Sequence, residues 1–242
     1  MPRYGIDLTK PVLGLALDQR SPDGNLRLAE KVVGEVDMLK LNADAADSVG
    51  WSSLLEPYRQ FELPIFLDIK MLQGKGTMAE RAKLAASLGV DFINASAMQD
   101  FLLTGPVQAL VGTDTRLLGL TIPTHFGEAY CREYFGRSLN ETVSFLARKA
   151  VGFGCHGIIL PATSLLAVAD LDTIKVTPAI RPDWSERAAN DQEETATPTE
   201  AVLGGSNILI VGSPIRKYHD GPVEGARRIR EEMLEAFARR VV

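Results

Sequence analysis

The stretch PIFLDIKMLQGKGT, residues 64–77, decides the fold. Its first seven residues are almost continuously apolar, as in a strand buried on both faces of a parallel sheet. Two charges break the run near its end. Asp68 and Lys70 are two residues apart, so on a strand both side chains point to the same face. A glycine-rich turn follows. MAERAKLAASLG (78–89) then repeats apolar residues at intervals of three and four and stops at Gly89, as an amphipathic helix does. Strand, turn and helix in that order make one βα unit.

Working outward, the same alternation fills the chain. Further strands are expected over 11–18, 37–42, 91–97, 116–123, 157–162, 172–178 and 207–214. Helical periodicity runs through 25–36, through 138–154 with Ser138 and Glu141 spaced as a capping box, and through 222–240 with Pro222 in its first turn. The stretch 164–171 is weak and reads as a single turn. Eight strand–helix units in 242 residues predict a (β/α)8 TIM barrel, one domain over residues 1–242. A doubly wound open sheet, the rival, normally needs fewer strands. The polar stretch 181–200 is long for a βα loop, and such loops often act as lids over a site.

A net charge of −5 argues against a nucleic-acid surface. Two cysteines, Cys131 and Cys155, are too few for a disulfide framework or a zinc site. No apolar run approaches the ~18 residues that span a bilayer, and the N-terminus lacks the apolar segment of a signal peptide. A soluble cytoplasmic protein without membrane or nucleic-acid partners is expected.

In a parallel barrel the active site lies at the C-terminal strand ends. There the strand reading places Asp18, Lys40, Asn42, Asp68, Lys70, Ser96, Thr121, Thr124, His125 and Arg181. Charges inside a barrel are costly unless paired, and Asp68 between two lysines stabilises their charged forms as they do its own. An ion-pair network that merely closes the barrel top is the structural alternative. His125 reads as a general acid or a loop histidine, and His156 and His219 as structural or exposed; no spacing of Asp, Glu and His suggests a metal site. LQGKGT is not a nucleotide-binding P-loop, because Gly76 separates Lys75 from Thr77.

LALD at strand one, MLKLN at strand two, FLDIK at strand three, TPAIRP…DQ before strand eight, and ILIVGSPI…GPVEGARRIREE at the end run in order from about residue 12 to 235. This arrangement resembles the orotidine 5′-phosphate decarboxylase family. The same superfamily includes 3-keto-L-gulonate 6-phosphate decarboxylase and hexulose-6-phosphate synthase. The resemblance implies a barrel that needs neither metal nor organic cofactor and works as a homodimer with shared active sites. It implies that Lys70 donates the replacing proton, that Asp68 crowds the substrate carboxylate, that Lys40 holds Asp68 ionised, and that Asp18 and Thr77 bind the ribose. Gln192 matches the family's phosphate-loop glutamine. Gly212 lies where the last strand meets the phosphate, with Thr121 and Thr124 at the end of strand five.

The sequence also departs from the family. The third position of its Asp-x-Lys-x-x-Asp motif, an acid that reaches the partner's active site, is Gln73 here. A glutamine still hydrogen-bonds a sugar hydroxyl, but the cluster keeps a surplus positive charge that invites another substrate anion. The arginine expected after VG is Ser213, which leaves Arg216, Arg181 or Lys75 to hold a phosphate. Glu193 and Glu194 follow Gln192 where a basic residue is common, and Ala179 replaces a glycine. LALDQR is also similar to class I sugar-phosphate aldolases over one short segment. Three readings remain: decarboxylation of a pyrimidine nucleotide, a diverged lyase (decarboxylase or aldolase) for another phosphorylated or anionic compound, and a non-catalytic nucleotide-binding paralogue.

Overall fold

A computed structural model describes residues 5–46, 49–185 and 194–241. Eight strands, β1 Val12–Leu17, β2 Met38–Asn42, β3 Ile65–Met71, β4 Phe92–Ser96, β5 Arg116–Leu120, β6 Gly157–Ile159, β7 Ile174–Thr177 and β8 Ile208–Val211, pair in parallel in chain order. β1 also pairs with β8, so the sheet closes into a TIM barrel. All eight expected strands form, most with shorter ends, while β3 runs one residue further, to Met71. β5 and β6 stop before Pro123 and Pro161, because proline has no N–H to give a ladder.

The helices are α1 Pro22–Val32, α2 Gly50–Leu55, α3 Lys75–Ser87, α4 Thr104–Ala109, α5 Glu128–Phe135, α6 Leu139–Gly152, α7 Pro198–Leu203, α8 Ser213–Arg216 and α9 Pro222–Val241. The Ser138–Glu141 capping box forms at the start of α6. The stretch read as a single turn is a 3₁₀ segment, Ala162–Val168. One expectation needs correction. The polar stretch 181–200 is not loop throughout, because Thr197 and Glu200 make a second capping box and α7 begins at Pro198. Its segment 186–193, including the expected lid and Gln192, lies outside the described residues.

Alternation along each strand separates two apolar layers. On β1, Leu13, Leu15 and Leu17 face the helices, while Val12 and Ala16 join the barrel interior with Met38, Phe66 and Phe92. The interior is narrow: a Cβ on Gly14 would lie 2.6 Å from Ile210 Cδ1. Helix contact is equally close outside, where a Cβ on Gly119 would lie 2.5 Å from Ala150 Cβ of α6. Ile6 and Leu8 pack against the interior cluster. No described helix is long and apolar enough to cross a membrane.

Candidate active site

Three neighbouring strands carry the same inward pattern, a large apolar residue followed two residues later by a polar one. They are Met38 then Lys40 on β2, Phe66 then Asp68 on β3, and Phe92 then Asn94 on β4. Because the apolar members fill the lower barrel, the polar members rise into its C-terminal mouth. Asp68 is the centre of the group and only 8% exposed. Its Oδ2 accepts from Lys40 Nζ at 3.1 Å and Lys70 Nζ at 2.8 Å, and its Oδ1 accepts from Asn94 Nδ2 at 2.8 Å. Lys40 Nζ also donates to Asn42 Oδ1. Burial pushes the Asp68 carboxyl up, but the two ammonium groups and the hydrogen bonds from Lys70 and Asn94 outweigh it and hold the carboxyl at about 2. Asp68 is therefore a carboxylate at every physiological pH.

Lys70 reaches this carboxylate by a route that simple alternation does not describe. Leu67 pairs with Ile93 but Met71 pairs with Ala95, so β3 spends four residues where β4 spends two. Within this bulge Lys70 takes a positive φ of 42°. Its N–H is received by Asn94 Oδ1 at 2.7 Å. The side chain, expected to be confined within the barrel, is 54% exposed, because the bulge lifts it onto the rim. Lys70 thus touches both a buried carboxylate and solvent.

A cavity of about 640 Å³ extends from this group across the mouth, lined also by Asp18, Thr124, His125, Arg181, Gly212, Ser213 and Arg216. Four cations, Lys40, Lys70, Arg181 and Arg216, face two carboxylates, Asp18 and Asp68. That excess suits an anionic ligand. Arg181 is buried, its Nη1 donates to Ile180 O at 2.9 Å, and burial lowers its pKa against the pull of the Asp18 carboxylate. Its backbone N–H donates to Ala196 O at 2.8 Å, which pins the root of the loop after β7. Arg216 is half-buried, and its side chain has no hydrogen-bond or ion-pair partner among the described residues. Beside Arg181, the buried Ala179 adopts a φ of 61° that glycine would hold with less strain.

A model of the family described as "Orotidine 5'-phosphate decarboxylase / HUMPS family" matches residues 11–229. The chain belongs to this family. It is 32% identical over 234 residues to an orotidine 5′-phosphate decarboxylase of Syntrophotalea carbinolica, covering 92% of this chain and 94% of the relative. It is 30% identical over 227 residues to one of Caulobacter sp. (strain K31), covering 92% and 97%. Among solved structures, orotidine 5′-phosphate decarboxylase from Lactobacillus acidophilus superposes with a TM-score of 0.76 at 24% identity, covering 93% of this chain and 99% of that one. This last likeness concerns the fold.

Of the residues that family resemblance singles out, the barrel gathers Lys40, Asp68, Lys70, Asp18, Thr124, Arg181, Gly212, Ser213 and Arg216 around one cavity. Four others lie elsewhere in the same chain. Gln73 does not line the cavity, and its Oε1 accepts the Leu72 N–H at 3.2 Å. Thr77 is exposed in the first turn of α3. Thr121 is fully buried, and its hydroxyl donates to Ile159 O at 2.9 Å. Lys75, a third candidate for holding phosphate, starts α3 outside the cavity lining, with its stem beside Gly105. Asn94 is the residue that sequence reasoning missed. Its signal was the apolar–polar alternation of Phe92, Asn94 and Ser96, which repeats the pattern of β2 and β3.

Proposed function

We propose that this protein decarboxylates orotidine 5′-phosphate, with Lys70 as the proton donor. The observation that carries this reading is the Asp68 carboxylate bracketed by Lys40, Lys70 and Asn94 inside a cation-rich mouth. A substrate carboxylate beside Lys70 meets the fixed negative charge of Asp68, which disfavours the bound ground state relative to the product-like state. As the bond between the ring carbon and the carboxylate breaks, carbon dioxide leaves and the electron pair stays on the ring carbon. The Lys70 ammonium stabilises that charge and delivers its proton to the same carbon. Its exposed side chain then regains a proton from water. Asp18 takes the ribose, and Arg216 the phosphate, since Arg181 is already committed to Ile180 and faces Asp18. On this reading the protein serves pyrimidine nucleotide biosynthesis.

The excess of cations, with Gln73 away from the mouth of its own barrel, supports a second reading: a lyase of the same superfamily acting on another phosphorylated anion. One assay separates the two. Wild type and Lys70→Ala are given orotidine 5′-phosphate and followed by ultraviolet absorbance, in parallel with a panel of sugar phosphates. The first reading expects turnover of the nucleotide that drops by about 10³-fold or more in the variant. Turnover confined to a sugar phosphate favours the second, and a wild-type rate on the nucleotide no better than that of Lys70→Ala sinks the first.

A further inference from the structure

We propose that Asn94 is a positioning residue: one buried amide holds the Lys70 backbone and the Asp68 carboxylate in a fixed mutual geometry. The inference rests on the acid–base roles proposed above and adds what makes them a rigid pair. Asn94 is 1% exposed and faces the barrel interior, where an unsatisfied amide is costly. Both ends of its side chain are used, and both go to the pair. A backbone N–H only donates and an ionised carboxylate only accepts, so the Asn94 oxygen must meet Lys70 N–H and its nitrogen must meet Asp68 Oδ1. The orientation of the amide is thereby set by its partners.

The position of Asn94 explains why a side chain is needed. It lies opposite the bulge, at the place where β3 and β4 lose their common register between Leu67 and Met71. The Lys70 N–H is directed at the Asn94 side chain in place of a regular β3–β4 rung, and the residue holds a left-handed φ that a lysine adopts only when its surroundings impose it. By occupying Asp68 Oδ1, the amide also fixes which oxygen, Oδ2, is presented to Lys40 and Lys70. Asn94 touches the reacting groups' supports and needs no contact with substrate.

Two variants test this. Asn94→Leu keeps the branched shape and removes both hydrogen bonds. It should lower kcat on orotidine 5′-phosphate by roughly 10²-fold while KM moves by no more than about threefold. Asn94→Asp keeps the acceptor for Lys70 N–H but sets a like charge against Asp68, so the acid limb of kcat should move up by about one pH unit or more. The charges facing Asp68 are Lys40 from β2 and Lys70 from its own strand, with Asp18, His125, Arg181 and Arg216 on the rest of the rim. The assignment is overturned if both folded variants keep the wild-type kcat and pH profile. It is also overturned if activity falls only with the folded fraction, or if neither variant folds, since Asn94 would then be a core residue alone. If wild type does not act on the nucleotide, the decarboxylase reading fails by itself. Carbon NMR titration of the Asp68 carboxyl then decides for Asn94: a midpoint raised in Asn94→Asp upholds its hold on Asp68, and an unmoved one removes it.

Discussion

At Asp68 the desolvation of a buried carboxylate opposes the attraction of two ammonium groups, and attraction wins. A folded-state carboxyl at about 2, against 3.8 for an unperturbed one, contributes stability that is present above pH 4 and lost as the pH falls towards 2. The size is roughly 2 kcal/mol, from about 1.4 kcal/mol per pKa unit. Asp68→Asn should therefore cost about 3 kcal/mol at pH 7, where it strands the buried Lys40 charge. The gap from wild type should narrow between pH 4 and pH 2, as urea unfolding at pH 7 and pH 2.5 would show; an equal gap at both would contradict the ionic account. Arg216 supplies the second residue-scale prediction. A guanidinium that lines the mouth without a partner among the described residues is free for a ligand anion. Arg216→Gln should weaken uridine 5′-monophosphate by about 10- to 100-fold and leave uridine nearly unchanged, by calorimetric titration. Equal losses for both ligands would remove the phosphate role.

The strand exits, where regular pairing ends, decide the shape of the mouth. β3 leaves through a bulge at Lys70, and β7 leaves through Ala179, whose φ of 61° sits in the left-handed region although it carries a Cβ. Just beyond it, Ile180 bridges Ala196 and Arg181 N–H reaches Ala196 O, so the exit is clamped despite that strain. Ala179→Gly should accordingly be neutral or stabilising by up to about 1 kcal/mol, the reverse of the usual glycine penalty. Thermal unfolding measures this directly, and a loss above about 1 kcal/mol would mean that the Cβ packs better than the backbone suffers. Much at this scale was legible from sequence. Near-continuous apolar runs marked all eight strands, and Ser138 with Glu141 marked the start of α6. The start of α7 was equally legible in Thr197 and Glu200 but was masked by the polar run before it.

For the whole molecule, parallel strands closed in chain order bring residues from Asp18 to Arg216 around one opening. Gln73 and Thr77 stay outside it, and the segments that follow β3 and β4 carry the exposed apolar side chains Leu72, Met98 and Phe101. A second copy of the chain seated on this side would cover that surface and bring Gln73 and Thr77 to a neighbouring mouth. Sedimentation equilibrium should then give a dimer mass, reduced to monomer by Leu72→Glu with loss of activity; an active monomer would end the shared-site idea. The sequence by itself determined the barrel, because apolar periodicity and turn residues report locally on burial, and it singled out Asp68 and Lys70, because they are the two charges in an otherwise apolar strand. It is the bulge, not plain alternation, that brings the two side chains together. Only the tertiary structure decided the place of Asn94, the exposure of Lys70 and which arginine of the mouth has a side chain without a partner among the described residues. These depend on a register shift between two strands and on groups brought together from separate parts of the chain, and neither leaves a periodic trace in the residues themselves.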